Sequence, residues 1–124
     1  GETPAQFAFF GLLRFLLSDD VRAASLRRSF VFKLVPMLNP DGVARGNFRV
    51  NSLGLDLNRC YEAPRPEEHE AIWAVKELLY HFSKRENEKF LFYGDLHAHT
   101  AVSGCFLLMN RLLGEPQAWN MTYA

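Results

Sequence analysis

The sequence predicts a fold of the α/β class, because helix signals alternate with short apolar runs along the chain. Helix signals mark three segments, at about residues 4–17, 21–28 and 67–84. Aromatic and β-branched residues mark three short runs, mostly apolar on both faces, at 30–35, 90–96 and 105–109. Such runs are typical of strands buried in a sheet with helices on both sides. We therefore expect one small α/β domain, which the length of 124 residues suits.

The first helix is predicted from its start signals and its apolar face. Thr3 is a favourable N-cap, and Pro4 fits the first helical position. Apolar residues then recur at helical spacing, at positions 7, 10, 13 and 17. The polar run at 18–20 ends this helix and caps the shorter helix that follows.

A long polar loop separates the first strand from the third helix. Pro36 ends the strand, and the run 39–42, Asn-Pro-Asp-Gly, is a strong turn signal. The loop continues to Leu57, and long loops in compact domains are often functional. In the helix at 67–84, and in the Phe-rich runs elsewhere, we expect the large apolar side chains to form the core.

Composition excludes several classes of function. The fourteen basic and fourteen acidic residues cancel, which argues against a nucleic acid as the main partner. No apolar run approaches the ~20 residues that cross a bilayer, so no membrane partner is expected. Two cysteines do not make a disulfide framework, which favours a reduced intracellular compartment.

Residues 95–99, Asp-Leu-His-Ala-His, lie at the predicted end of the second strand. In α/β folds, ligands bind at this edge of the sheet. His97 and His99 are two positions apart, so both side chains project to one face of a strand and could share a metal ion. They could equally be two polar residues at a strand terminus, and both interpretations stay open at this point.

A second group of polar residues lies in and after the long loop. Asn58 offers an amide and Arg59 a planar fork of donors, a pair that suits a carboxylate. The alternative for Arg59 is a surface ion pair. Arg49 belongs to a Gly-hinged loop segment near the same stretch, and Glu2 precedes the first helix, where its charge favours the helix dipole.

Five short motifs, taken in order, resemble the zinc carboxypeptidases of the M14 family. They are Gly1-Glu2-Thr3-Pro4, Pro36-Met37-Leu38-Asn39-Pro40-Asp41-Gly42, Gly46-Asn47-Phe48-Arg49, Asp56-Leu57-Asn58-Arg59 and Asp95-Leu96-His97-Ala98-His99. Within that family the chain is most similar to the cytosolic carboxypeptidases that trim glutamate from tubulin, closest to the branch-point deglutamylase type. The resemblance implies that residues 1–124 are the N-terminal part of one M14 catalytic domain, truncated at both ends. That domain is an α/β/α sandwich with a mixed central sheet.

The resemblance also implies a zinc site. Glu2 and His97 match two of the three zinc ligands of the family, and the remaining histidine would fall before Gly1. On this pattern His97 is a ligand and His99 is not. Asp56 matches the carboxylate that orients the remaining histidine.

Three further residues match groups that act on the substrate. Asn58 and Arg59 match the pair that binds the terminal carboxylate of the substrate. Arg49 matches the arginine that stabilises the oxyanion of the tetrahedral intermediate. With Arg45, these arginines would attract a substrate rich in glutamate.

The implied function is that of a cytoplasmic, zinc-dependent metallocarboxypeptidase that removes C-terminal or side-chain glutamates from proteins. Polyglutamylated tubulin is the expected substrate, and association with microtubules the expected location. One alternative is an M14 carboxypeptidase of another specificity. The other is an inactive fragment, because one zinc ligand and the general base, which the family places late in the domain, match nothing in these residues.

Overall fold

The structure, a computed structural model, describes residues 2–111 and 119–123. Within these residues lie four α-helices, α1 (Thr3–Leu16), α2 (Val21–Ser29), α3 (Pro40–Ala44) and α4 (Glu70–Ser83), and a 3-10 helix at Leu57–Arg59. Two strands, β1 (Leu107–Arg111) and β2 (Trp119–Tyr123), pair antiparallel, with Leu107 opposite Tyr123. The chain divides into two compact units, Met37–Phe92 on the one hand, and Glu2–Pro36 with the chain from Tyr93 onward on the other.

Helices α1 and α2 confirm the first two predicted helices, with one correction at the start of α1. The N-cap of α1 is Glu2, not Thr3, and its side chain makes no capping hydrogen bond. Pro4 lies in the first turn, where a proline costs no backbone hydrogen bond. The Glu2 carboxylate contacts residues 97 and 98 instead of the helix.

The turn between α1 and α2 shows why the chain reverses after Leu16. Asp20 caps α2, because its carboxylate accepts a hydrogen bond from the amide of Arg22 at 2.8 Å. The Arg27 guanidinium donates to the carbonyls of Leu16 and Ser18, which satisfies backbone oxygens at the end of α1. Leu16 and Ala23 are buried where the two helices pack.

The unit Met37–Phe92 is organised around α4 and the loop before it. The predicted turn at 39–42 is the start of α3, and the Asn39 side chain caps this helix by accepting from the amide of Gly42 at 3.0 Å. Helix α4 begins three residues later than predicted, after His69, and ends at Ser83. Leu57, Ile72 and Val75 are the buried apolar residues of this unit.

The strand predictions fare less well than the helix predictions. Residues 30–35 and 90–96 run without regular secondary structure, and most of their apolar side chains are exposed. The reason is physical: a strand forms only where a neighbouring segment pairs with its backbone, and a local apolar run does not encode that neighbour. The run predicted at 105–109 overlaps β1 at 107–109. The predicted mixed central sheet is therefore not formed by the described residues.

The expectation that the large apolar side chains form the core was also too broad. Phe7 is 74% exposed on α1, and Trp73 and Tyr80 on α4 are 40% and 62% exposed.

In the described part of the chain, no helix combines the length and the apolar character needed to span a bilayer.

Candidate functional site

Glu2 and His97 come together although 95 positions separate them in the sequence. Glu2 Oε2 lies 3.1 Å from His97 Nδ1, and it accepts a hydrogen bond from the backbone amide of Ala98 at 2.7 Å. Both side chains are about four-fifths buried, at 19% and 21% exposure. The amide that follows His97 therefore fixes the carboxylate beside the ring of His97.

A second carboxylate holds the other side of the same ring. His97 Nε2 lies 3.0 Å from Asp95 Oδ2, and the Asp95 side chain is 16% exposed. The hydrogen bond with Asp95 is the main cause of a raised His97 pKa, and the charge of Glu2 adds to it, while partial burial acts in the opposite direction. The imidazole thus lies between two carboxylates, one on each ring nitrogen.

The donor atoms of Glu2 and His97 fit a shared metal ion. Two ligand atoms at ordinary zinc distances in a tetrahedral site lie roughly 3.3 Å apart, close to the observed 3.1 Å between Oε2 and Nδ1. With Nδ1 on the metal, the ring proton would stay on Nε2, where Asp95 accepts it. Across residues 2–111, however, no group of three or more His, Cys, Asp or Glu side chains could hold an ion. Glu2 and His97 could therefore supply two ligands at most.

His99 does not join this cluster. Its Nδ1 accepts hydrogen bonds from the amides of Ala101 at 3.1 Å and Val102 at 3.2 Å, and its ring packs edge-on against Phe106. The ring thus stabilises the turn that follows it. Of the two interpretations of the His-x-His run, a metal shared by His97 and His99 finds no support in this geometry.

In the unit Met37–Phe92, Asp56 brings the other predicted residues together. Its Oδ1 accepts from the backbone amide of Asn58 at 3.1 Å and so caps the 3-10 helix. Its Oδ2 lies 3.5 Å from Arg49 Nη2 and 3.9 Å from Arg59 Nε. One carboxylate therefore forms ion pairs with both guanidinium groups, and its negative charge offsets the repulsion between Arg49 and Arg59.

The backbone at Arg49 is unusual. Its φ of 67° lies in the left-handed region, the one such value at a non-glycine residue in the described chain. The amide of Val50 donates to the carbonyl of Phe48 at 2.9 Å, so Arg49 is the central residue of a tight three-residue turn. Such turns are strained for a residue with a side chain, and strain of this kind is concentrated at functional positions.

Asparagine side chains hold this loop in place. Asn39 Nδ2 donates to the carbonyl of Val50 at 2.9 Å, which ties the start of α3 to the Arg49 turn. Asn51 Oδ1 accepts from the amides of Leu53 and Leu55, and its Nδ2 donates to the carbonyl of Glu68. Through the Asn39 contact, the segment predicted as a turn at 39–42 positions the Arg49 loop.

The guanidinium of Arg59 is accessible to a ligand. Its side chain is 72% exposed, while that of Arg49 is 34% exposed. The distance of 3.9 Å from Arg59 Nε to Asp56 Oδ2 is longer than a hydrogen bond. The charge of Asp56 therefore orients the guanidinium but leaves its N–H donors available to a ligand. A substrate carboxylate could therefore accept from it in the bidentate manner typical of arginine.

Sequence reasoning missed two contributors. The sequence-based predictions give Asp95 no role, although its spacing of two residues from His97 in an extended segment is a usable signal. The backbone amide of Ala98, which holds Glu2, carries no sequence signal at all. The roles predicted for Arg49, Asp56, Asn58 and Arg59 in catalysis remain predictions.

Comparison with known proteins places these residues in a family. The family model described as zinc carboxypeptidase matches residues 1–111. The chain is similar to cytosolic carboxypeptidase 6 of Caenorhabditis elegans (44% identity, 89% of this chain and 24% of that protein) and of Homo sapiens (41%, 89% and 22%). It is also similar to cytosolic carboxypeptidase-like protein 5 of Danio rerio (58%, 65% and 9%).

The chain spans about a tenth to a quarter of the length of these relatives. The family model nevertheless covers most of its residues, including Glu2, Asp56 and His97. Members of that family have an α/β fold, which agrees with the class predicted from the sequence. The chain belongs to the zinc carboxypeptidase family.

Proposed function

We propose that the protein containing this chain is a zinc-dependent metallocarboxypeptidase that removes glutamates from protein C termini or side chains. The observation that carries the proposal is the pairing of Glu2 with His97, at 3.1 Å, in a chain of the zinc carboxypeptidase family. A carboxylate oxygen and an imidazole nitrogen are ligands that zinc prefers in hydrolases.

In this proposal Glu2 and His97 hold the metal. A zinc ion bound there would polarise the substrate carbonyl and lower the pKa of a water molecule toward ~7. Glu2 is kept in place by the amide of Ala98, and His97 by Asp95, so both ligands are oriented before an ion arrives.

Three residues that match substrate-binding groups of the family would contact the substrate. Asn58 and Arg59 would donate to its terminal carboxylate, which distinguishes a chain end from an internal peptide. Arg49 would donate to the carbonyl oxygen as this atom gains negative charge, and its strained turn supports such a fixed position. Asp56 keeps both arginines in place through their shared ion pairs.

The positive charge near the proposed substrate-binding residues and the names of similar proteins support glutamate as the residue that is removed. Arg45, Arg49 and Arg59 lie within fifteen positions of one another in the sequence, and a polyglutamate substrate is attracted by clustered positive charge. The similar proteins are named cytosolic carboxypeptidases, which supports a cytosolic location. Tubulin with glutamate branches or a glutamate tail is the substrate we propose.

The experiment uses the full-length gene product that contains this chain, hereafter the full-length protein. It is incubated with peptides that end in glutamate, lysine or phenylalanine, and with a glutamate peptide whose C terminus is amidated. We expect glutamate release from the free peptide and none from the amidated one. Release of lysine or phenylalanine instead would replace the proposed specificity with another M14 type, and no release from any peptide would overturn the activity.

Substitution of the two ligands tests the metal site. E2A and H97A in the full-length protein are each expected to lower bound zinc and to lower kcat by at least about 10²–10³, because each removes a ligand. D19N, at an exposed aspartate after α1, is the control and is expected to retain both properties. Zinc content is measured by metal analysis after dialysis, and full occupancy in H97A would contradict the assignment.

Substitution of Arg59 tests carboxylate recognition. R59A removes a charged donor, and the loss of about 1.5–3 kcal/mol of binding corresponds to a rise in KM of roughly 10–150-fold. Zinc content should not change, because Arg59 is not a ligand. R28A, an exposed arginine on α2, is the matched control, and an R59A variant with the KM of the control would remove Arg59 from the substrate site.

A further inference from the structure

The contact between Asp95 and His97 deepens the proposed metal site. Asp95 Oδ2 lies 3.0 Å from Nε2 of His97, on the opposite side of the ring from Glu2. Both partners are largely buried, at 16% and 21% exposure, so solvent competes weakly for this hydrogen bond. The contact therefore restrains both the rotation of the ring and the position of its proton.

We infer that Asp95 is a positioning residue for His97: its contact with Nε2 fixes the ring so that Nδ1 faces Glu2, the arrangement that a shared zinc ion needs. This inference rests on the proposed function, because it assigns His97 Nδ1 to a zinc ion. A zinc ion on Nδ1 would leave the one ring proton on Nε2, and the Asp95 carboxylate beside Nε2 is placed to accept it.

The geometry favours this role over a simple ion pair. If Asp95 served only as a counter-ion, it could lie anywhere near the ring, but its oxygen lies at hydrogen-bond distance from one nitrogen. Glu2 is already engaged by the Ala98 amide at 2.7 Å, so its carboxylate stays beside Nδ1. The two carboxylates thus have different tasks, one as a ligand and the other as the acceptor of the remaining ring proton.

The test measures zinc affinity of the full-length protein by competition with a chelating dye. D95A removes the acceptor and is expected to weaken zinc binding toward 100-fold, and D95N, which keeps an oxygen but loses the charge, by about tenfold. D19N, which removes an aspartate charge elsewhere, is the matched control. Far-UV circular dichroism shows whether each variant is folded. If D95A does not fold, the zinc affinity of D95N alone tests the role of Asp95.

The second readout follows the ring proton itself. In zinc-loaded protein labelled with ¹⁵N-histidine, long-range ¹H–¹⁵N spectra identify which ring nitrogen of His97 carries the proton, and the His97 signals are assigned by their loss in H97Q. We expect the Nε2–H form in the wild-type protein and in D19N, and a mixture of both forms in D95A. This measurement does not depend on catalytic activity.

The outcomes separate the inference from the proposed function. Weaker zinc binding in D95A and D95N with a changed tautomer supports the inference. Wild-type zinc affinity in both variants overturns it and leaves the proposed function standing. A wild-type protein that binds no zinc overturns both.

Discussion

Gly42 shows at the scale of one residue how little space separates α3 from the Arg49 loop. A Cβ atom at this position would lie 2.3 Å from Asn39 Nδ2 and 2.4 Å from the carbonyl oxygen of Val50. Those two atoms form the hydrogen bond that ties α3 to the turn containing Arg49. The absence of a side chain at Gly42 is therefore a condition for the position of Arg49.

G42A is expected to destabilise the full-length protein by about 2–4 kcal/mol, because the methyl group breaks the Asn39 cap and overpacks the loop. The control is G11A, in an exposed part of α1 where a Cβ meets nothing within 4 Å. Alanine there is expected to stabilise the helix by about 0.5–1 kcal/mol. Urea unfolding measures both changes, and equal midpoints for the two variants would contradict the close approach.

At the scale of elements, α2 depends on a charged cap. The Asp20 carboxylate accepts hydrogen bonds from the Arg22 side chain at 2.7 and 3.0 Å and from its amide at 2.8 Å. The Arg22 side chain and amide lower the pKa of Asp20 to about 2. The ionised form is thus the one that the folded helix stabilises.

The pH dependence of this cap has a defined sign. Because folding lowers the pKa of Asp20 from 3.8 to about 2, its stabilisation is complete above about pH 5 and is lost as the pH falls toward 2. The difference in melting temperature between wild-type protein and D20A should therefore be constant from pH 7 to about 5 and shrink below that. D20N, which caps without a charge, is the control. A difference that grows on acidification would exclude this role.

Much of the helical structure could be predicted from local signals, and the strands could not. Asp20 is a local cap signal, and α2 begins right after it. The runs at 30–35 and 90–96 have the composition of strands, but pairing depends on a partner segment that a local pattern does not specify.

The candidate site likewise has a part that local sequence signals predict and a part that they do not. The Asp-x-Asn-Arg run is local, and the 3-10 helix brings its members together as the motif suggests. The meeting of Glu2 and His97 is a long-range event, which was predicted from the family resemblance and not from spacing. Asp95 could have been found locally, because alternate residues of an extended segment share a face.

At the scale of the whole molecule, zinc and folding should be coupled. A ligand that binds the folded form alone stabilises it by about 2.7 kcal/mol at a hundredfold excess over its Kd. We expect treatment of the full-length protein with a chelator to lower its melting temperature, and added zinc to restore it.

The E2A variant is the control for this coupling. Its melting temperature should be close to that of the chelated wild-type protein and should respond little to zinc, since one of the proposed ligands is gone. A wild-type protein whose melting temperature is indifferent to the chelator would show that the metal, if bound, does not contribute to stability. Scanning calorimetry with matched buffers makes the comparison.

The distance in sequence between Glu2 and His97 also sets an order of events during synthesis. At ribosomal rates of about 5–20 residues per second, Glu2 is made roughly 5–20 s before His97, which lies 95 positions later. Throughout that interval the growing chain presents the carboxylate without its imidazole partner and without the Ala98 amide that orients it. At the proposed zinc site, metal loading would therefore follow the synthesis of residues 95–98.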